Sequence, residues 1–224
     1  MQFTEIVNAL SSDPQQMAKS ILRLFHFAGL ALGLGAATVL DLIVLRFFMM
    51  RRVSTNGCEI FHFCANLVLV GIIMMWITGI GFLLFYQFYD PDLLMNEKVW
   101  AKVVIVCILT LNGVFVHRFI SPFITNRTGH MLMDGIPLQR KLALITVGAV
   151  SFVSWYGPLA IANLPQLNFS VPMLQILAVY AGILATILIA AYIFAWISQP
   201  RAVEKPVKPT PRHSKNMKRS SSVV

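Results

Sequence analysis

Five runs of apolar residues, each about 20 residues long, divide this chain and decide what it can become. They cover about 22–46, 60–87, 99–119, 141–163 and 173–197. A helix of about 20 apolar residues crosses about 30 Å of hydrocarbon. Lipid offers the backbone no hydrogen-bond partners, so each run must satisfy its own amides as a helix. The expected fold is therefore all-α: a polytopic membrane bundle of five transmembrane helices. Composition agrees, with 57% hydrophobic and 12% charged residues and a mean hydropathy of +0.73. Soluble domains carry about 25% charged residues. A soluble enzyme, a secreted disulfide scaffold and a disordered chain are all excluded.

The runs divide the chain into three parts: an interfacial segment over 1–21, the transmembrane domain over 22–198, and a basic tail over 199–224. The first run is too long for a signal h-region and is preceded by about 20 residues of its own. In that leader, Phe3, Ile6, Val7 and Leu10 recur at helical spacing, as in a short helix lying in the interface. Ser12-Asp13-Pro14 then offers a cap and a proline for the first helical position, so the next helix is expected to start at Pro14. The tail mixes Pro, Lys, Arg and Ser and cannot bury a core; it reads as disordered.

Charge orients the bundle. Arg46, Arg51 and Arg52 follow the first run; Arg118, Arg127, Arg140 and Lys141 follow the third; seven Lys and Arg lie in the tail. The opposite side carries Asp90, Asp92 and Glu97 with one lysine, Lys98. Lys and Arg mark the cytoplasmic side, giving an N-terminus outside and a C-terminus inside; the expected location is a bacterial inner (plasma) membrane. The excess of 18 Lys+Arg over 9 Asp+Glu is thus a matter of topology, and nucleic acid is not an expected partner. Cys58, Cys64 and Cys107 lack CxxC spacing and read as reduced structural thiols.

Ionisable groups inside spans are costly, and they mark where function could lie. The candidates are His26, Asp41, His62, Lys102 and His117. Depth sorts them into two sets: His26 with Lys102 toward the outer face, and Asp41, His62 and His117 toward the inner one. His26, Gly29, Gly33, Ala37 and Asp41 share a broad face of the first helix, with Gly29 and Gly33 admitting a neighbouring helix or a flat ligand. Lys102, Val106, Thr110, Gly113 and His117 share a face of the third, the lysine and histidine about 22 Å apart. Plainer roles exist for each. Lys102 can snorkel to headgroups, the histidines can be half-solvated, and Asp41 can pair with Arg46 or a neighbouring helix. As metal ligands, one carboxylate and two imidazoles would suit non-heme iron or zinc. Met49-Met50 and Met74-Met75 are the residues a copper(I) carrier would use.

Leu24-Phe25-His26-Phe27-Ala28-Gly29 opens the first helix, Trp76-Ile77-Thr78-Gly79-Ile80-Gly81 closes the second, and Trp100-Ala101-Lys102-Val103-Val104-Ile105-Val106 opens the third. Over about 22–120 the chain resembles the small membrane superfamily that includes HemJ-type protoporphyrinogen oxidase and the CopD-like copper-resistance domain. The resemblance implies heme b as cofactor, with His26 and Lys102 as the functional pair. It also implies redox chemistry or electron transfer, and an oxidoreductase if the protein is an enzyme. Two readings from other classes stand beside it. One is a non-catalytic scaffold or accessory subunit, acting in a homo-oligomer or with a membrane partner subunit. The other is a small cation or copper carrier using Asp41, His62 and His117.

Cysteine-labelling scans of the whole protein in sealed vesicles will place the 88–98 loop outside and the 47–59 loop, the 120–140 loop and the tail inside. Strong external labelling of the tail would overturn the span count or the orientation.

Overall fold

The computed structural model describes residues 13–50, 53–132 and 135–197. The proposed interfacial helix before Ser12 and the tail lie outside these residues. Among the described residues six α-helices follow in order: α1 Pro14–Met50, α2 Thr55–Tyr89, α3 Glu97–Phe115, α4 Ser121–Thr125, α5 Leu138–Ala162 and α6 Met173–Ile197. A π turn over Val116–Ile120 joins α3 to α4. Short 3-10 turns, Pro91–Met95 and Pro165–Leu167, precede α3 and α6. Five stretches are long and apolar enough to cross a membrane, the third being Glu97–Thr125 with its π turn included. The protein is an integral membrane helix bundle.

The helices outrun their apolar runs because caps, not hydropathy, end them. Asp13 Oδ1 accepts from the amides of Gln15 and Gln16 at 3.1 and 3.0 Å, so α1 begins at Pro14 as the sequence predicts. Its 37 residues reach about 55 Å, well beyond a hydrocarbon core. Ser54 caps α2 by accepting from the Gly57 amide at 3.1 Å, and Asn96 caps α3 by accepting from Lys98 at 3.2 Å. The π turn falls just before Pro122, whose missing N–H cannot bond the carbonyl of Arg118; the widened turn absorbs that break.

The closest helix pair is α1 with α2, and its seam is made of glycine. A Cβ on Gly71 would sit 2.5 Å from Gly33 Cα, and one on Gly29 2.8 Å from Met74 Cβ. Only hydrogen fits where the two backbones cross. Trp155 of α5 enters beside this crossing: a Cβ on Gly33 would stand 2.2 Å from its Cη2. The indole is 2% exposed and packs with Ala37, Ile72 and Leu109. The glycine face of α1, open in principle to a helix or a flat ligand, is therefore filled by α2 and Trp155.

Around this centre, hydrogen bonds join the helices in pairs. Thr38 meets Tyr156 at 3.0 Å, Trp76 Nε1 donates to Thr110 at 2.9 Å, and Ser154 meets Tyr180 at 2.8 Å. Each such bond in a membrane is worth about 0.6 kcal/mol on average. At one end of the bundle Phe61, Ile124, Leu132 and Val53 form a core, and Val53 exchanges backbone hydrogen bonds with Gly129 and His130. At the other end Lys98 Nζ donates to the Leu164 carbonyl at 2.8 Å, and Glu97 Oε2 accepts from the Met173 amide at 2.6 Å. The two contacts tie the start of α3 to the loop after α5 and to the first residue of α6.

The glycine seam makes a testable contrast. Gly71→Ala will lower stability by about 1–3 kcal/mol, the cost of overpacking a fixed contact. Gly35→Ala, whose Cβ meets nothing within 4 Å, will be neutral or raise stability by up to about 1 kcal/mol. Thermal unfolding in detergent micelles reads both. Equal behaviour of the two variants would remove the seam from its central place.

Candidate functional site

The first candidate set lies at the end of the bundle that holds Lys98. His26, on α1, sets its Nδ1 2.8 Å from Thr78 Oγ1 on α2. Thr78 spends its own proton on the Met74 carbonyl at 2.6 Å, so its oxygen can only accept from the ring. Nδ1 therefore carries a hydrogen, and the neutral ring keeps its lone pair at Nε2. The Phe82 ring meets the imidazole edge-on at 5.5 Å between centroids and limits its rotation. Lys102, on α3, is half-buried and makes no hydrogen bond or ion pair among the described residues. It lies near enough to His26 and Lys98 for the charges to interact. This end thus carries a ring with one nitrogen engaged and one available, and a lysine with no ion-pair partner among the described residues.

The second candidate set is arranged differently. His62 has both ring nitrogens engaged, Nε2 with Thr125 Oγ1 at 2.8 Å and Nδ1 with Ser121 Oγ at 3.0 Å. Thr125 donates to the Ser121 carbonyl at 2.9 Å, so Nε2–H donates to Thr125 and Ser121 donates to Nδ1. No lone pair is left over. This imidazole pins α2 to the α4 turn. His117 Nε2 lies 3.2 Å from the Ala65 carbonyl, which can only accept, so Nε2 carries the hydrogen and Nδ1 the lone pair. Asp41 is half-buried and has no hydrogen bond or ion pair among the described residues. The expected pairing with Arg46 is not made: five residues along a helix turn about 140° around its axis, so the two side chains diverge.

Among the described residues no three His, Cys, Asp or Glu side chains form a group able to hold a metal ion. Asp41, His62 and His117 are not gathered, because each histidine is turned by its own partner on another helix. Met74, one of the candidate copper ligands, has its Cβ packed against Gly29. The three cysteines are unpaired, two buried and Cys107 exposed. Compared with known family profiles, curated proteins and solved structures, the chain matches none.

Several residues that shape these sites escape a reading of the sequence. Thr78 stands 52 positions from His26, and Thr125 stands 63 from His62. Nothing in their local sequence sets them apart from other threonines in apolar helices. Trp155 Nε1 is the buried side-chain polar atom left without a hydrogen-bond partner among the described residues. Its only signal is a tryptophan in mid-span rather than at an interface.

If His62 is a structural pin, Thr125→Val will cost about 1 kcal/mol by leaving Nε2–H without its acceptor, and Thr125→Ser will restore most of it. Thermal unfolding decides. A valine variant as stable as the parent would free His62 for another role.

Proposed function

We propose that this integral membrane protein binds a b-type heme through His26, with Lys102 beside it, and serves redox chemistry or electron transfer in a bacterial inner membrane. The observation that carries the reading is the state of the His26 ring: Nδ1–H is committed to Thr78, and the Nε2 lone pair has no partner among the described residues. A ligand histidine is ordinarily held in this way, its far N–H fixed by an acceptor that sets tautomer and orientation. The resemblance over about 22–120 selects the same residue.

The donor chemistry fits heme iron, for which imidazole is a common axial ligand. Two cavities between the described helices measure about 10 and 30 Å³ and include neither His26 nor Lys102 in their linings. A porphyrin would therefore lie outside them, on the side of α1 and α3 where His26 and Lys102 stand. When bound, heme supplies a one-electron centre whose potential follows ligand type and burial. Thr78 would orient the ring, Phe82 would restrict its rotation, and Lys102 as a cation would pair with a propionate carboxylate. Such pairing removes the cost of holding a half-buried charge without a partner. The enzymatic form of the reading is an oxidoreductase of the heme-dependent protoporphyrinogen oxidase type.

The carrier reading has less behind it, because His62 has no lone pair free. A cofactor-free scaffold or accessory subunit is the reading that remains if no heme binds.

Absorption spectra of protein purified from heme-replete cells, and after reconstitution with hemin, test the proposal. A Soret band is expected. His26→Ala will weaken or abolish it, and Lys102→Ala will lower occupancy or shift the spectrum. Thr78→Val will reduce heme affinity by about 10–100-fold while keeping His26 in place. Absence of a Soret band in both preparations overturns heme binding.

A further inference from the structure

The cavity of about 30 Å³ lies between α1, α2, α3 and α5, toward the His117 end of the bundle. Its polar lining is Asn112, His117, Ser151 and Trp155; the rest is aliphatic or glycine. The smaller cavity, about 10 Å³, lies on the far side of Ile72, Leu109 and Trp155, which border both. Its lining is apolar apart from Trp155 and Ser154, and the Ser154 hydroxyl already meets Tyr180.

Four residues that line the larger cavity have hydrogen-bonding capacity to spare. Trp155 is 2% exposed, and its Nε1–H has no acceptor among the described residues. His117 directs Nε2–H to the Ala65 carbonyl and keeps a lone pair at Nδ1. Asn112 donates from Nδ2 to the Val147 carbonyl at 3.2 Å, so its Oδ1 remains an acceptor. Ser151 makes no hydrogen bond among the described residues and can both donate and accept. An occupant must accept from an indole N–H and donate to imidazole and amide acceptors. A cation is repelled by the indole N–H, and an anion by the two lone-pair acceptors. An apolar guest leaves the indole unmatched. Size narrows the choice further, since a site of about 10–15 Å³ is the least that holds one water. The larger cavity clears that limit; the smaller one only reaches it and lacks the two to four polar partners a water needs.

We infer that this cavity is a binding site for ordered water, which accepts from Trp155 Nε1–H and donates toward His117 Nδ1 and Asn112 Oδ1. The water joins the π turn of α3 to α5 at the point where Trp155 also packs on Gly33 of α1. It makes the His117 half of the bundle interior hydrated and leaves the half beyond Trp155 dry. Neither consequence depends on a cofactor at His26.

The test is NMR of the full-length protein, labelled with ¹⁵N at its tryptophans, in lipid nanodiscs. The Trp155 indole signal is assigned by its loss in Trp155→Phe. If that variant does not fold, it is assigned by elimination from Trp76→Phe, Trp100→Phe and Trp196→Phe. The expected result is a cross-peak between the Trp155 indole proton and the water resonance. Ser151 carries the only hydroxyl in the cavity lining, and a hydroxyl could relay such a peak by exchange. The peak must therefore persist in Ser151→Ala. Its absence from the parent protein, or its loss in Ser151→Ala, overturns the site.

Discussion

Everything in this bundle is arranged around a contact that allows no side chain. Gly33 and Gly71 bring α1 and α2 together closely enough that a Cβ on Gly71 would lie 2.5 Å from the Gly33 backbone. In lipid there is no hydrophobic force to drive helices together, so close packing and interhelical hydrogen bonds must do it. The crossing of two glycines supplies the packing, and it also leaves the notch that Trp155 fills. One indole thereby touches the α1–α2 seam from α5, and it borders the two cavities on either side of it. The registers of three helices follow from this arrangement.

The polar groups are set by the same registers. With α1 and α2 locked at Gly33 and Gly71, Thr78 comes opposite His26, and its hydroxyl has one proton, already given to Met74. The direction of that hydrogen bond decides which histidine nitrogen stays available. At the opposite end the surrounding hydroxyls produce the opposite result. Thr125 and Ser121 engage both nitrogens of His62, and a residue that looks like a ligand in sequence is a brace between helices. Two histidines of the same formal kind thus differ in hydrogen-bonding state because of how many acceptors and donors surround them.

Much of the frame was legible in the sequence, and specific features explain why. Asp13-Pro14 begins α1 where its capping chemistry says it should, and the five apolar runs become five spans. The charge count and the glycine spacing on α1 were also readable, although whether a helix or a ligand would meet those glycines was not. The candidate sites were legible only as residue types. Asp41 and Arg46 looked like partners by proximity in the chain, and helical geometry turns them apart. His62 and His117 looked like one cluster by depth, and each is drawn to a different partner. Trp155 drew no notice, yet it holds the buried polar atom with no partner among the described residues.

The sequence by itself determined that the chain is a set of membrane-spanning helices, how many there are and where the first one starts. Those properties depend on local hydropathy and on hydrogen bonds between near neighbours, which a linear string contains. Only the tertiary structure decided which ring nitrogens of His26, His62 and His117 are engaged, what fills the glycine face and where the interior has room for water. Those properties depend on pairs such as His26 with Thr78 and Gly33 with Trp155, 52 and 122 positions apart. At such separations the choice of partner is set by how whole helices pack, and no local preference records it.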